Sequence, residues 1–201
     1  MIIIGLTGSI GMGKSTTAAM FEQEGIPVND ADAVVHELYR GDAVGPVAEA
    51  FPGTLKDGAI DRQELSRQLS VDPGKLRLLE SIVHPLVRQR EADFLNHHRE
   101  AGAEIVVLDI PLLFETEGEE RVDVVVVVSC DPQIQKQRVL ARPGMSEDKL
   151  EMILARQVPD REKREKADFI IDTGTGIDAA RQRVRQIITS LKSGNMSDKY
   201  A

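Results

Sequence analysis

Gly8-Ser9-Ile10-Gly11-Met12-Gly13-Lys14-Ser15 is the stretch whose reading decides the architecture. It fits G-x-x-x-x-G-K-[ST] in full, a match that chance places in on the order of one chain in a hundred of this length and composition. Ile2-Ile3-Ile4-Gly5-Leu6-Thr7 precedes it and reads as a strand buried on both faces. The residues that follow, through Met20 and Phe21, read as a helix stopped at Gly25. Strand, glycine turn and helix form the setting that gives the pattern meaning. Glycines let backbone N–H groups turn inward, and the helix N-terminus adds positive partial charge. Lys14 adds a point charge for the outer phosphates, Ser15 a hydroxyl for Mg²⁺ and Thr16 a further phosphate contact. Gly8, Gly11, Met12, Gly13, Lys14, Ser15 and Thr16 are therefore the candidate nucleotide-binding residues. The rival reading is a flexible glycine turn with a solvated lysine.

Working outward, short β-branched runs alternate with helical patterns. Glu104–Asp109, Val122–Val128 and Asp168–Asp172 read as buried strands, with a short fifth at Ile26-Pro27-Val28. Buried strands separated by helices predict a mostly parallel, five-stranded sheet in an α/β, three-layer fold. Asp131-Pro132 supplies an N-cap and a proline at the first helical position. Ser146 is the expected cap of a short charged helix. Asp178 is expected to cap a last helix whose Val184, Ile187, Ile188 and Leu191 share a face.

Two stretches break the alternation. From about 30 to 84 there are helix signals but no convincing strand, which predicts a helical insertion. Within it Asp72-Pro73 opens a helix, and His84-Pro85 marks a break before the next. From about 142 to 166 the chain is short and highly charged, which predicts a surface flap. Its run Arg161–Lys166 reads as a solvated face. The expected organisation is a single domain with core 1–29, 85–141 and 167–192, the insertion, the flap as a lid, and a polar tail 193–201.

Composition narrows the function. The chain has 201 residues, 41% hydrophobic and 29% charged, which excludes a disordered tail protein. Its net charge of −8 makes it a poor generic binder of nucleic acid or anionic membrane, so a polyanionic ligand needs a local basic site. Aromatics are 3%, with no Trp, which argues against a base-stacking platform. Cys130 is the one cysteine, and none of His36, His84, His97 and His98 falls in H-x-x-x-H spacing. That disfavours disulfides and zinc sites. No run has the length of a membrane span, and the N-terminus lacks the features of a signal peptide, so the expected setting is cytoplasmic.

Asp109 ends its strand, where an acid beside a phosphate loop orients Mg²⁺; the alternative is an acid capping the turn before Pro111. No N-K-x-D segment is present for reading guanine. A small-molecule kinase with an acceptor region and a closing lid remains, since such an enzyme must keep water from its γ-phosphoryl group. Arg138 and Arg142 share a helix face at the base of the flap, with the donor fork that suits phosphate. Arg156 lies farther from the sheet edge.

From Ile3 to about Leu191 the sequence resembles the dephospho-CoA kinase family. The carriers are Gly5–Thr16, Asp30-Ala31-Asp32 with His36, His84-Pro85-Leu86-Val87-Arg88 and Asp109-Ile110-Pro111-Leu112-Leu113-Phe114-Glu115. Arg156-Gln157 and Lys166-Ala167-Asp168 complete the set. The resemblance implies transfer of the ATP γ-phosphoryl to the ribose 3′-hydroxyl of dephospho-CoA, the last step of coenzyme A synthesis. Small molecules would be its partners. It favours Asp32 over Asp30 as the base or hydroxyl-orienting residue, the other reading being that one of the pair caps the next helix. Lys14, Arg138 and Arg142 join Asp32 as catalytic candidates, and Ser15 and Asp109 are the metal candidates. His84 either contacts the acceptor or caps the helix from Pro85. Arg88 is a candidate for an acceptor phosphate, and Leu113 either lines the pantetheine path or belongs to the core. Where the family has D-N-x-G after its last strand, this chain has Asp172-Thr173-Gly174. The alternatives are a nucleotide or nucleoside kinase of similar architecture and a non-catalytic ATP-binding regulator.

Overall fold

The computed structural model describes residues 1–194, so most of the expected polar tail lies outside the described residues. The chain divides into two compact units, one of Met1–Val28 with His98 onward, the other Asn29–His97.

In the first unit, β1 (Ile2–Thr7) runs through the phosphate loop into α1 (Lys14–Gln23). The edge strand β2 (Val28–Asp30) begins two residues later than its sequence reading. Pro27 explains the shift: its carbonyl accepts the Val107 N–H at 2.8 Å, but it has no N–H to donate. Between β2 and the next core strand lie α2 (Ala31–Leu38), α3 (Val44–Ala50), β3 (Leu55–Lys56), β4 (Ala59–Ile60), α4 (Arg62–Val71) and α5 (Pro73–Glu100). The chain then continues as β5 (Ile105–Asp109), β6 (Val124–Ser129), α6 (Pro132–Leu140), α7 (Glu147–Leu154), α8 (Asp160–Lys166), β7 (Phe169–Asp172) and α9 (Ile177–Lys192).

The main sheet has the order β2-β5-β1-β6-β7, with β1 parallel to both β5 and β6 and β6 parallel to β7. Its strands are continuous apolar runs because helices cover both faces. Val124 to Val128 are all buried, and Ile4, Leu6, Phe21, Val107, Phe169 and Ile187 share their core. Val184, Ile187, Ile188 and Leu191 are all on the buried face of α9, as the spacing predicts. Asp178 does not cap that helix: Gly176 at φ 113 occupies the cap, and Asp178 is exposed beside Arg181. The loop after β1 opens where the strand order switches sides, the place where open α/β sheets leave a ligand crevice.

The second unit has its own core, in which Leu38, Val47, Phe51, Leu65, Leu79 and Val83 are buried. Two features differ from the sequence reading. Helix α5 runs unbroken through Pro85 rather than stopping at His84. Proline removes one donor and leaves a helical φ; the apolar face from Leu79 and Val83 to Leu86 and Val87 packs on both sides of it and holds the helix together. The antiparallel pair β3–β4 is also unanticipated. Its signal was Asp57-Gly58, both at positive φ (51 and 79), as a tight hairpin turn requires.

Candidate active site

The phosphate loop leaves β1 at Thr7. A Cβ on Gly8 would lie 2.7 Å from the carbonyl oxygen of Val128, so only glycine lets the loop lie this close to β6. Gly13, at φ 92, is the residue from which α1 starts. Two glutamines hold the peptide groups of Ile10. Gln157 Oε1 accepts the Ile10 N–H at 3.2 Å, and Gln135 Nε2 donates to the Ile10 carbonyl at 2.8 Å. Sequence reasoning gave neither a role in shaping the loop. Gln135 sits one turn before Arg138 on α6, which is the signal that could have found it.

Lys14 Nζ pairs with Asp109 Oδ1 at 2.5 Å. The parallel register sets Leu6 opposite Asp109, so β5 ends its carboxylate level with the start of the loop. Asp109 is only 1% exposed, and its carboxylate is paired with the lysine of the loop. Ser15 and Thr16 are exposed on the first turn of α1. Among the described residues no group of three or more His, Cys, Asp or Glu side chains forms a metal cluster. The oxygen donors of Asp109 and Ser15 suit Mg²⁺ chemically, since that ion takes few protein oxygens and completes its shell with phosphates and water.

A cavity of about 300 Å³ adjoins the loop, lined by Gly13, Thr16, Arg138, Arg142, Thr173 and Ile177 among others. Both arginines line it and Arg156 does not, but they do not share a helix face as expected: α6 ends at Leu140, and Arg142 lies in the turn beyond, its N–H donating to the Val139 carbonyl at 3.0 Å. A larger hollow of about 550 Å³ lies against α6 and α8, where Asp131, Asp160 and Glu165 face Arg161 and Arg164. Its charge is mixed and Thr16, Arg138 and Arg142 line only the smaller cavity, which is therefore the better nucleotide candidate.

In the second unit the Asp30/Asp32 alternative resolves. Asp30 Oδ1 accepts the N–H groups of Asp32 (2.8 Å) and Ala33 (3.1 Å), so Asp30 is the helix cap. Asp32 is exposed, and its side chain takes no part in that cap. His84 and Arg88 are exposed on α5. Because α5 continues through Pro85, His84 is not a cap. Leu113 is 0% exposed and packs against Gly5 and Gly118, which corrects its candidacy for substrate contact: it is core, and of Leu112, Leu113 and Phe114 only Leu112 is exposed.

Glu115 emerges as a structural residue. Its Oε1 accepts the Val158 N–H at 2.8 Å and pairs with Lys163 Nζ at 2.8 Å. Lys163 is 0% exposed, so the run Arg161–Lys166 is not wholly a solvated face; α8 turns one of its cations inward. Glu115→Gln leaves that ammonium buried without its counter-charge. It is expected to lower unfolding stability by about 3–5 kcal/mol, and adding Lys163→Met is expected to recover most of it. Chemical denaturation of the two variants checks this. Asp168 is structural too, accepting the Val125 N–H at 2.8 Å. Burial pushes the Cys130 thiol up, so it is a poor nucleophile at neutral pH.

A parallel sheet whose central strand feeds a phosphate loop, with a lysine–aspartate pair and two arginines around a cavity, defines a P-loop kinase. The dephospho-CoA kinase family model matches residues 2–179, and the chain belongs to that family. It is similar to the dephospho-CoA kinase of Rhizobium meliloti (strain 1021), with 59% identity over 194 residues, 96% of this chain and 100% of the relative. Among solved structures it is similar to a Thermus thermophilus protein (TM-score 0.82, 35% identity, 94% of this chain and 96% of that one). It is also similar to dephospho-CoA kinase from Campylobacter jejuni (TM-score 0.73, 25% identity, 96% and 98%).

Proposed function

We propose that the chain phosphorylates the ribose 3′-hydroxyl of dephospho-CoA with ATP, giving coenzyme A and ADP. The observation that carries this reading is the part-buried Lys14–Asp109 pair at the mouth of the phosphate loop, in a chain of this family. Phosphoryl transfer asks a protein for positioning and charge neutralisation more than for covalent chemistry. The loop amides and Lys14 receive the β- and γ-phosphates. Arg138 and Arg142 supply positive charge from the cavity wall, where developing negative charge on the transferred group is stabilised. Asp32 orients the acceptor hydroxyl and accepts its proton. His84 and Arg88 serve acceptor binding.

Ser15 and Asp109 would hold Mg²⁺, which neutralises phosphate charge when bound. Residues 142–166 act as the lid, anchored at its far end by the buried Lys163 on α8. Among the described residues no helix is long and apolar enough to cross a membrane. Together with a single buried thiol, this accords with a cytoplasmic enzyme of small-molecule substrates.

A coupled ADP-release assay tests the reading. Turnover is expected with dephospho-CoA and Mg²⁺ present and not with ATP alone. Turnover with a nucleoside monophosphate and none with dephospho-CoA would transfer the chain to the nucleotide kinases. ATP binding with no turnover on either acceptor would make it a regulator.

A further inference from the structure

Thr173 stands where the family resemblance has asparagine, and the established activity leaves it without a role. We propose that it is a positioning residue that couples the shape of the phosphate loop to the placement of Arg138; the proposal rests on the phosphotransfer reading of this site. Three contacts converge on it. Its hydroxyl donates to the Met12 carbonyl inside the loop at 2.7 Å. The same oxygen accepts from Arg138 Nη1 at 3.0 Å, and its backbone carbonyl accepts from Arg138 Nη2 at 2.8 Å. Its methyl side packs on the loop as well: a Cβ built on Gly13 would lie 3.2 Å from Thr173 Cγ2. The residue is itself fixed, since its N–H donates to the Ser129 carbonyl at 2.9 Å at the end of the sheet.

The physical consequence follows from side-chain entropy. Arginine is long and loses much rotamer freedom when it is ordered. Two bonds to one anchored residue place Arg138 before any nucleotide arrives, which is the way preorganisation lowers the entropy lost on binding. Two of the five guanidinium donors go to Thr173, and Arg138 lines the cavity together with Arg142 and Thr16. The hydroxyl can serve both neighbours because it donates once and accepts at its lone pairs. Valine has the shape of threonine and neither capacity. Its substitution leaves the Met12 carbonyl and one guanidinium N–H without this partner and holds the arginine by the single remaining bond to the backbone carbonyl.

Thr173→Val, Thr173→Ser and Thr173→Ala, each alone and with Arg138→Met, test the proposal in the full chain. Steady-state kinetics, ATP titration calorimetry and the unfolding midpoint are the readouts. Thr173→Val is expected to lower kcat/KM for ATP by about ten- to hundredfold, the range for losing a hydrogen bond to a charged group, with KM for dephospho-CoA unchanged. Serine is expected to recover most of that loss. In the Arg138→Met background the valine change is expected to cost less than about threefold more, because the partner it acts through is already gone. Three results would overturn the proposal: Thr173→Val within about twofold of the parent, serine no better than valine, or the full valine penalty persisting without Arg138. If valine does not fold, serine against alanine decides the same question. A parent chain that binds ATP and never phosphorylates dephospho-CoA sinks the acceptor assignment instead, and the ATP affinities still decide on Thr173.

Discussion

Lys14→Met is expected to lower kcat/KM for ATP by about 10³-fold or more, measured as ADP release per folded molecule. Lys14 sits on the first turn of α1 with its ammonium held by Asp109, 14% exposed against a carboxylate that is 1% exposed. That pairing parks a flexible four-carbon stem at the mouth of the loop, so its freedom is spent before a phosphate arrives. Methionine keeps the stem and removes the charge. It also takes away a counter-charge from buried Asp109, and a loss of about 3–5 kcal/mol in stability is expected alongside. The double variant Lys14→Met/Asp109→Asn separates the two effects: it is expected to regain most of the stability and none of the turnover. If Lys14→Met keeps more than about a tenth of the parent kcat/KM, a loss far below the clamp range, the lysine is a structural ion-pair partner only.

Asp32→Asn is the second large effect, an expected fall in kcat of about 10²–10⁴-fold, the usual span for a group that moves or orients a proton. ATP affinity and the unfolding midpoint are expected to stay near the parent values, because Asp32 is exposed and leaves the capping of α2 to Asp30. Asp30→Ala is the contrasting control: it removes the oxygen that accepts two N–H groups and acts on stability, by about 1 kcal/mol. Equal damage to turnover from both variants, or near-normal turnover of Asp32→Asn, would take Asp32 out of the mechanism.

Much of the fold was legible in the residue order because its signals are short-ranged. The run Ile2–Thr7, the glycines of the loop and the polar–apolar spacing of α9 each act within a few residues, and each element is present where its pattern lies. Two of the differences have identifiable physical causes. His84-Pro85 reads locally as a helix break, yet packing along α5 outweighs one missing donor. Asp57-Gly58 held a hairpin signal, but the strands it joins are two residues each, too short to show alternation.

The composition of the site divides along the same line. The candidate residues of the loop, the strand-end Asp109 and the arginines 138 and 142 were legible in the sequence alone, since each follows from a motif or from its place near the end of one element. What surrounds them was decided by tertiary structure. Gln157 holds the Ile10 amide across 147 positions, and Thr173 holds the Met12 carbonyl across 161. Lys163 turns inward to Glu115, and Leu113 is sealed in the core. A hydrogen bond or an ion pair forms only when chain folding puts donor and acceptor within about 3 Å, and no local pattern encodes that separation.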